Sequence, residues 1–120
     1  MKTSKRKAST RHYSVYVIRL DPGVLEIPKF VRANPDYVKG RPCVYVGMTF
    51  HTPRFRLGQH LIGRNAGYPA CKLVTDFGIG LMPKIYDKYN AEPMTKSKAV
   101  KREVKLAKRL RKLGYAVWQK

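Results

Sequence analysis

Two apolar segments in the first half of the chain have the pattern of β-strands. Residues 12–20 (HYSVYVIRL) are rich in β-branched and aromatic side chains, and the turn sequence Asp21-Pro22-Gly23 follows them. Alternate residues of a strand point to opposite faces, and both faces are apolar here, which predicts a strand covered on both sides. Residues 43–48 form a second apolar run. Because no convincing crossover helix separates the two runs, we predict that they pair antiparallel.

The segment after the second strand has the pattern of a helix with defined ends. Thr52 followed by proline is typical of an N-cap and the first helical residue, so a helix is predicted over Pro53–Ile62. Gly63 is expected to end it. Arg56 and His60 are four residues apart and therefore share one face of this helix.

A longer helix is predicted over residues 95–113, with Thr95 as its N-cap and Gly114 as its stop. The inward stripe repeats every three or four residues, and its members are Ala99, Glu103, Leu106, Leu110 and Leu113. The opposite face is basic, and its members are Lys98, Lys101, Arg102, Lys105, Lys108, Arg109, Arg111 and Lys112. The stripe therefore contains one carboxylate on an otherwise apolar face.

The remaining segments have weaker patterns. Residues 24–40 contain two prolines and mixed polarity, which indicates an irregular insertion between the first two strands. A short helix is predicted at 68–75 and a strand at 79–86, where Pro83 requires an edge position. Residues 115–118 form a short apolar end, either a packed strand or a tail. The elements together predict a layered α/β domain.

The charge of the chain narrows the class of partner. Its 26 Lys and Arg against 7 Asp and Glu give a net charge of +19 and a pI near 10.3. Such self-repulsion is typical of proteins that bind a polyanion, so nucleic acid is the expected partner. An anionic membrane is the rival, but no stretch approaches the roughly 20 apolar residues that a membrane span requires.

With 120 residues the chain has the length of one domain, predicted at 12–120, preceded by a flexible basic arm at 1–11. Two functions of the arm remain open, contact along phosphates or simple solubilisation. Cys43 and Cys71 lie far apart in the sequence, and there is no second pair of cysteines that could complete a zinc site. No secretory signal is expected either, so a disulfide between them is not indicated. They are expected to be buried thiols in a reducing cytoplasm.

Five residues could take part in catalysis, but each has an ordinary structural explanation when it is considered alone. A carboxylate such as Glu103 on an apolar face requires pairing, protonation or a cation. A neighbouring Arg or Lys is the commoner partner, and a divalent cation is the alternative. Tyr16 and Tyr45 read as a cross-strand aromatic pair, Arg56 as a solvated charge and His60 as an ordinary surface or core histidine.

Taken in order, these residues resemble the GIY-YIG nuclease family. Tyr16 stands in the segment SVYV, where only the tyrosine of the first family tripeptide remains. Residues 45–47 (YVG) resemble the second tripeptide. The spacing from Arg56 to His60 and the position of Glu103 in a late helix are also similar to the family, and the resemblance covers nearly the whole folded part.

The resemblance implies a small α/β sandwich with a three-stranded antiparallel sheet flanked by helices, which cuts phosphodiester bonds with one divalent cation. Glu103 would hold Mg²⁺ or Mn²⁺, and Arg56 would contact the phosphate. Tyr45, its hydroxyl made more acidic by nearby cations, would take a proton from water. Tyr16 would orient the nucleophile or the phosphate, and His60 would relay a proton or hold Tyr45.

The substrate expected from the resemblance is nucleic acid, with DNA favoured, bound by Gly47 and by the basic residues Lys101, Arg102 and Lys105. A non-catalytic nucleic-acid-binding module on the same fold is the alternative, and a ribosome-associated basic protein is a third. Whether the chain is a monomer or a homodimer is left open by the sequence.

Two departures from the family pattern are visible. The gap between the first two strands is longer than usual, which makes residues 24–40 an insertion of unknown use. The family often has an asparagine after the last helix, and Gln119 is a weak substitute for it here.

Overall fold

The computed structural model describes residues 13–63 and 71–119. The predicted basic arm at 1–11 lies outside the described residues, and so does the first part of the helix predicted at 68–75. The described part is an α/β domain built on one mixed sheet of four strands, which confirms the α/β class of the prediction. None of its helices is both long enough and apolar enough to cross a lipid bilayer.

The sheet has the strand order β3-β1-β2-β4. Its members are β1 (Ser14–Leu20), β2 (Cys43–Thr49), β3 (Gly78–Leu81) and β4 (Ala116–Gln119). β1 pairs antiparallel with both β2 and β3, which confirms the predicted pairing of the first two strands. β4 pairs parallel with β2, so the expected sheet of three antiparallel strands is extended by a fourth. A parallel neighbour needs a crossover connection, and the long last helix provides it.

The helices are α1 (Pro28–Arg32), α2 (Pro53–Ile62), α3 (Lys72–Phe77), α4 (Pro83–Tyr86) and α5 (Lys96–Lys112). The hydroxyl of Thr52 accepts a hydrogen bond from the Phe55 N–H at 3.1 Å, and Gly63 ends α2 with a φ of 70°. Thr95 caps α5 in the same way, and Gly114 follows it with a φ of 91°. The predicted boundaries of both helices are confirmed because they depend on local capping groups.

One predicted strand is wrong in its second half. β3 ends at Leu81, and Pro83 begins α4 instead of continuing a strand to residue 86. Proline cannot donate to a strand ladder, whereas the first turn of a helix tolerates it. The predicted edge position is right, since β3 is the outermost strand beside β1.

The core lies on both faces of the two central strands. Val15, Tyr16, Val17 and Ile18 are all buried, which confirms that β1 is covered on both sides. Along α5 the predicted inward residues are buried except Leu113, which is exposed because it lies at the C-cap, after the last helical residue. Ala107 is the buried member that the prediction omitted, and the buried residues of α5 are Ala99, Glu103, Leu106, Ala107 and Leu110.

Two asparagine side chains supply the hydrogen bonds of a missing neighbouring strand. Asn34 accepts from the Val117 N–H at 2.7 Å and donates to the Val117 carbonyl at 3.0 Å. Asn90 does the same for Val15, at 2.9 and 2.8 Å. Since an unpaired strand edge leaves backbone groups unsatisfied, these amides complete β4 and β1. The insertion at 24–40 thus has a structural use, because Asn34 lies within it.

Candidate active site

An open cleft of about 380 Å³ collects side chains from three strands and two helices. The residues that line it are Tyr16, Tyr45, Gly47, Met48, Arg56, Val100, Glu103, Val104 and Gln119. Four of the five predicted catalytic residues are among them, and the fifth, His60, lies behind the tyrosines. The carboxylate of α5 therefore opens into the same cleft as the two tyrosines and the arginine.

Gly47 makes room for the two tyrosine rings. It pairs with Tyr16 across the β1–β2 ladder, and the ring centroids of Tyr16 and Tyr45 are 6.1 Å apart. A Cβ atom at position 47 would lie 2.7 Å from the Tyr16 hydroxyl oxygen and 2.9 Å from a Tyr45 ring carbon. Both distances are shorter than a van der Waals contact, so any side chain here would displace the rings. Gly47, which was predicted to bind substrate, has a steric role, because its lack of a side chain leaves room for the two tyrosine rings.

His60 is buried and holds the first tyrosine. Its Nε2 lies 2.9 Å from the hydroxyl oxygen of Tyr16, and its Nδ1 accepts the Cys71 backbone N–H at 3.2 Å. A backbone N–H can only donate, so we assign the proton of the neutral imidazole to Nε2, which donates to Tyr16. The ring also contacts Tyr45 edge-on, with centroids 5.3 Å apart.

This arrangement bears on both roles expected of His60. The structure gives it a hydrogen bond to Tyr16, whereas its contact with Tyr45 is between rings. In the assigned tautomer Nε2 already carries a proton and Nδ1 is engaged by Cys71, so neither nitrogen can take a proton from Tyr16. The geometry therefore makes His60 a positioning residue for the tyrosine hydroxyl.

Burial sets the acidity of the two tyrosines. It raises the pKa of Tyr16 to about 12, although the charge of Arg56 and polar contacts with Arg56 and Tyr45 lower that pKa in part. Burial also raises the pKa of Tyr45, and the nearby Tyr16 adds to the effect. This direction is opposite to the more acidic Tyr45 hydroxyl that was expected. Both hydroxyls are thus protonated at neutral pH.

Glu103 is a buried carboxylate without a cationic partner in the described part of the chain. Its side chain is 9% exposed, and burial raises its pKa, while a hydrogen bond from Gln119 at 3.2 Å lowers it in part. The salt bridge found among residues 13–63 and 71–119 joins Lys72 to Asp76, so no Arg or Lys there pairs with Glu103. Pairing with an Arg or Lys was the commoner explanation for a carboxylate at this position, and it does not occur among the described residues.

The donor set at Glu103 fits only a cation that shares its ligands with substrate. No group of three or more His, Cys, Asp or Glu side chains suited to a metal occurs in the described residues. Mg²⁺ is commonly bound by one or two carboxylates together with waters and substrate phosphates. A single unpaired carboxylate that opens into a cleft is compatible with that kind of site.

Arg56 reaches the cleft from α2. Its Nη1 donates to the Gln59 side chain at 3.0 Å, which fixes the guanidinium relative to its own helix. A guanidinium has five N–H donors in a planar fork, so donors remain for a phosphate. The arrangement thus places a permanent positive charge at the cleft wall beside two neutral hydroxyls.

The basic residues predicted to bind substrate do not line the cleft. Lys101 and Lys105 are exposed on α5. Arg102 is only partly exposed, and its guanidinium donates to the backbone carbonyl of Tyr89. Arg102 therefore anchors α5 to the preceding turn, and the two lysines remain available to a polyanion.

Several cleft residues were missed by the sequence argument. Val100 and Val104 are exposed valines on an otherwise basic helix surface, and Met48 follows Gly47 directly. Val100 lies three residues before Glu103 and four residues before Val104, so it shares a helix face with each of them, and this spacing was the available signal. Gln119, considered only as a weak substitute for an asparagine, donates to the carboxylate.

Comparisons of this chain with protein-family models, with curated proteins and with solved structures found no match.

Proposed function

We propose that this protein is a metal-dependent endonuclease that hydrolyses phosphodiester bonds in nucleic acid, with DNA favoured, in the manner of the GIY-YIG nucleases it resembles. The observation that carries the proposal is that Glu103 lines one cleft together with Tyr16, Tyr45 and Arg56. Phosphodiester hydrolysis requires a water to be oriented and the charge on the phosphate to be compensated. The cleft contains residue types for both requirements.

Substrate binding follows from charge. The net charge of +19 attracts a polyanion, and the exposed lysines of α5 provide phosphate contacts that carry no base specificity. Arg56 at the cleft wall binds the scissile phosphate with a forked pair of N–H groups. The exposed lysines of α5 thus bind the nucleic-acid strand along its backbone, and the cleft binds the phosphate that reacts.

Glu103 is the residue that would hold the divalent cation, Mg²⁺ or Mn²⁺. Its carboxylate is buried and lacks an ion pair among the described residues. Burial raises its pKa and so favours the neutral form, and a bound cation would compensate the charge of the ionised carboxylate. When bound, the cation would supply Lewis-acid compensation of charge on the phosphate. Gln119 donates to the carboxylate and so restrains its orientation.

The tyrosines would position the attacking water. His60 fixes the hydroxyl of Tyr16, which leaves the tyrosine proton directed away from the imidazole. Because the Tyr45 hydroxyl is neutral, it can accept a proton from the water only while it releases its own proton to solvent in the cleft. The water oxygen then bonds to phosphorus, the bond to the leaving sugar oxygen breaks, and that oxygen takes a proton from solvent.

A non-catalytic nucleic-acid-binding module is the second candidate. The raised pKa values of both tyrosine hydroxyls favour it, because a general base works best with a pKa near the operating pH. The binding surface would be the same in both cases. Dependence of strand cleavage on Mg²⁺ or Mn²⁺ separates the two.

The test is nicking of supercoiled plasmid DNA in Mg²⁺, in Mn²⁺ and in chelator, with DNA binding measured in parallel. Tyr45→Phe should slow nicking about 10²-fold or more, the usual contribution of a general base, while binding stays unchanged. Tyr115→Phe, which removes a hydroxyl outside the cleft, is the matched control and should nick at the parent rate. Equal nicking by the parent and Tyr45→Phe would exclude this role, and no nicking by the parent in either metal would leave the binding module.

A further inference from the structure

A second pocket, of about 690 Å³, lies beside the catalytic cleft. The described residues that line it are Tyr13, Ser14, Phe50, His51, Thr52, Pro53, Phe55, Asn90, Ala91, Glu92 and Pro93. Its volume is in the range of pockets that hold small organic groups. None of the proposed catalytic residues lies in it.

The pocket is dominated by rings that the fold leaves accessible. Tyr13 packs edge-on against Phe50, with ring centroids 5.2 Å apart. The ring centroids of His51 and Phe55 are 4.6 Å apart. Phe50 is 49% exposed and Phe55 is 50% exposed. Large apolar side chains that cluster and remain half exposed indicate a surface that another molecule covers.

The charge of the pocket separates it from the surrounding surface. Glu92 is the acidic residue among the described residues that line it, and no Lys or Arg is among them, although the chain has 26 of those residues. A carboxylate would repel a phosphate, so the pocket does not suit the backbone of a nucleic acid. Flat rings with a hydrogen-bond acceptor nearby suit an uncharged aromatic group.

The two sites are connected by the same pair of strands. Tyr16 pairs with Gly47, and both line the catalytic cleft. Ser14, two residues earlier on the same strand, lines the second pocket, which we call the aromatic pocket. Two residues of strand span about 7 Å, which is about two nucleotides at the stacked spacing of 3.4 Å. One strand of nucleic acid can therefore reach both sites.

We infer that the aromatic pocket receives an unpaired base of a nucleic-acid strand, one or two nucleotides from the phosphate in the cleft. The position of that phosphate rests on the proposed function, whereas the base pocket itself can be tested without cleavage. Base stacking on aromatic side chains tolerates any sequence, since every base has a π-face. The substrate class is accordingly nucleic acid with unpaired nucleotides at the cleavage site, such as single strands, bulges or branch points.

The experiment measures binding in chelator, with a labelled single-stranded oligonucleotide and with the same sequence as a fully paired duplex. Phe50→Leu combined with Phe55→Leu keeps apolar bulk but removes both rings. This variant should bind the single strand about tenfold more weakly and the duplex within about twofold of the parent. Phe50→Tyr combined with Phe55→Tyr keeps the rings and should bind both as the parent does.

Ile62→Ala combined with Ile79→Ala is the control, because both isoleucines are exposed but lie outside the pocket. It should leave both affinities unchanged. An equal loss for single strand and duplex in the leucine variant, or no loss for either, would overturn the base pocket. Because the assay needs no metal, a failure of the proposed nuclease activity would leave this result intact, and the two failures are distinguishable.

Discussion

The hydroxyl oxygen of Tyr16 lies 2.9 Å from Nε2 of His60, a residue 44 positions later in the chain. The Cys71 N–H engages the other ring nitrogen, so the imidazole is fixed from both sides. β1 supplies the tyrosine and α2 supplies the histidine. The orientation of Tyr16 thus depends on how α2 packs on the sheet.

Replacement of His60 tests this dependence. His60→Leu leaves the Tyr16 hydroxyl and the Cys71 N–H without this partner, and should destabilise the fold by about 2–4 kcal/mol in urea denaturation. His60→Gln keeps one amide near the tyrosine and should lose less stability and less cleavage activity. The cleavage rate should fall in the leucine variant while DNA affinity is retained, which a purely structural role would not produce. Parent-like cleavage by folded His60→Leu would contradict the positioning role.

Alkaline pH should destabilise the protein through its buried tyrosines. The folded-state pKa of Tyr16 is raised to about 12 from 10.0, so the folded state binds this proton more tightly than the unfolded state. The contribution of Tyr16 is fully present below pH 10 and is lost as the pH rises to about 12, an effect of about 2–3 kcal/mol. Urea denaturation at pH 9 to 12 should show a shallower decline for Tyr16→Phe than for Tyr115→Phe. Identical declines would contradict the burial argument.

Glu103 should reduce stability at neutral pH when no cation is bound. Burial raises its pKa above 4.5, so its contribution favours the fold below that pH and is lost as the carboxyl ionises. In chelator at pH 7, Glu103→Gln should therefore melt a few degrees above the parent, and the difference should shrink near pH 4. Glu26→Gln, an exposed carboxylate outside the cleft, is the control. A lower melting temperature for Glu103→Gln in chelator would contradict the account.

The exposed lysines of α5 should determine the salt dependence of DNA binding. Lys101→Ala combined with Lys105→Ala removes up to two phosphate contacts and should reduce the slope of log affinity against log salt by about 0.9 for each contact. Arg102→Ala should act differently, because its guanidinium donates to the Tyr89 carbonyl and its loss should lower stability. An unchanged salt slope in the double lysine variant would exclude this helix face as a DNA contact.

The ends of the long elements could be predicted from the sequence because they depend on local chemistry. Thr52 and Thr95 cap helices with their own hydroxyls, and Gly63 and Gly114 have the positive φ angles that follow a helix. Pro83 was misassigned because a proline is compatible with a strand edge and with a first helical turn, and only tertiary context separates the two. The edge of β4 that does not face β2 is satisfied by a distant side chain, Asn34, which tertiary context likewise decides.

The proposed catalytic residues of the candidate site could be named from the sequence, whereas the other residues that line the cleft and the hydrogen bonds could not. The order of the tyrosines, Arg56, His60 and Glu103 along the chain sufficed to name the residues, because each lies on a strand or helix with a clear pattern. The tautomer of His60 depends on the backbone N–H of Cys71, and the acidity of the hydroxyls depends on burial. Neither the tautomer nor the acidity of the hydroxyls can be predicted from a local sequence pattern.

The most direct test of the account is single-turnover cleavage of a labelled oligonucleotide as a function of Mg²⁺ concentration, for the parent, Glu103→Gln and the control Glu26→Gln. If Glu103 holds the cation against the phosphodiester, Glu103→Gln should cleave about 10³-fold more slowly or not at all, while it binds the oligonucleotide as tightly as the parent. The control should follow the Mg²⁺ dependence of the parent. Cleavage by Glu103→Gln at the parent rate, with the same Mg²⁺ dependence, would contradict the central claim.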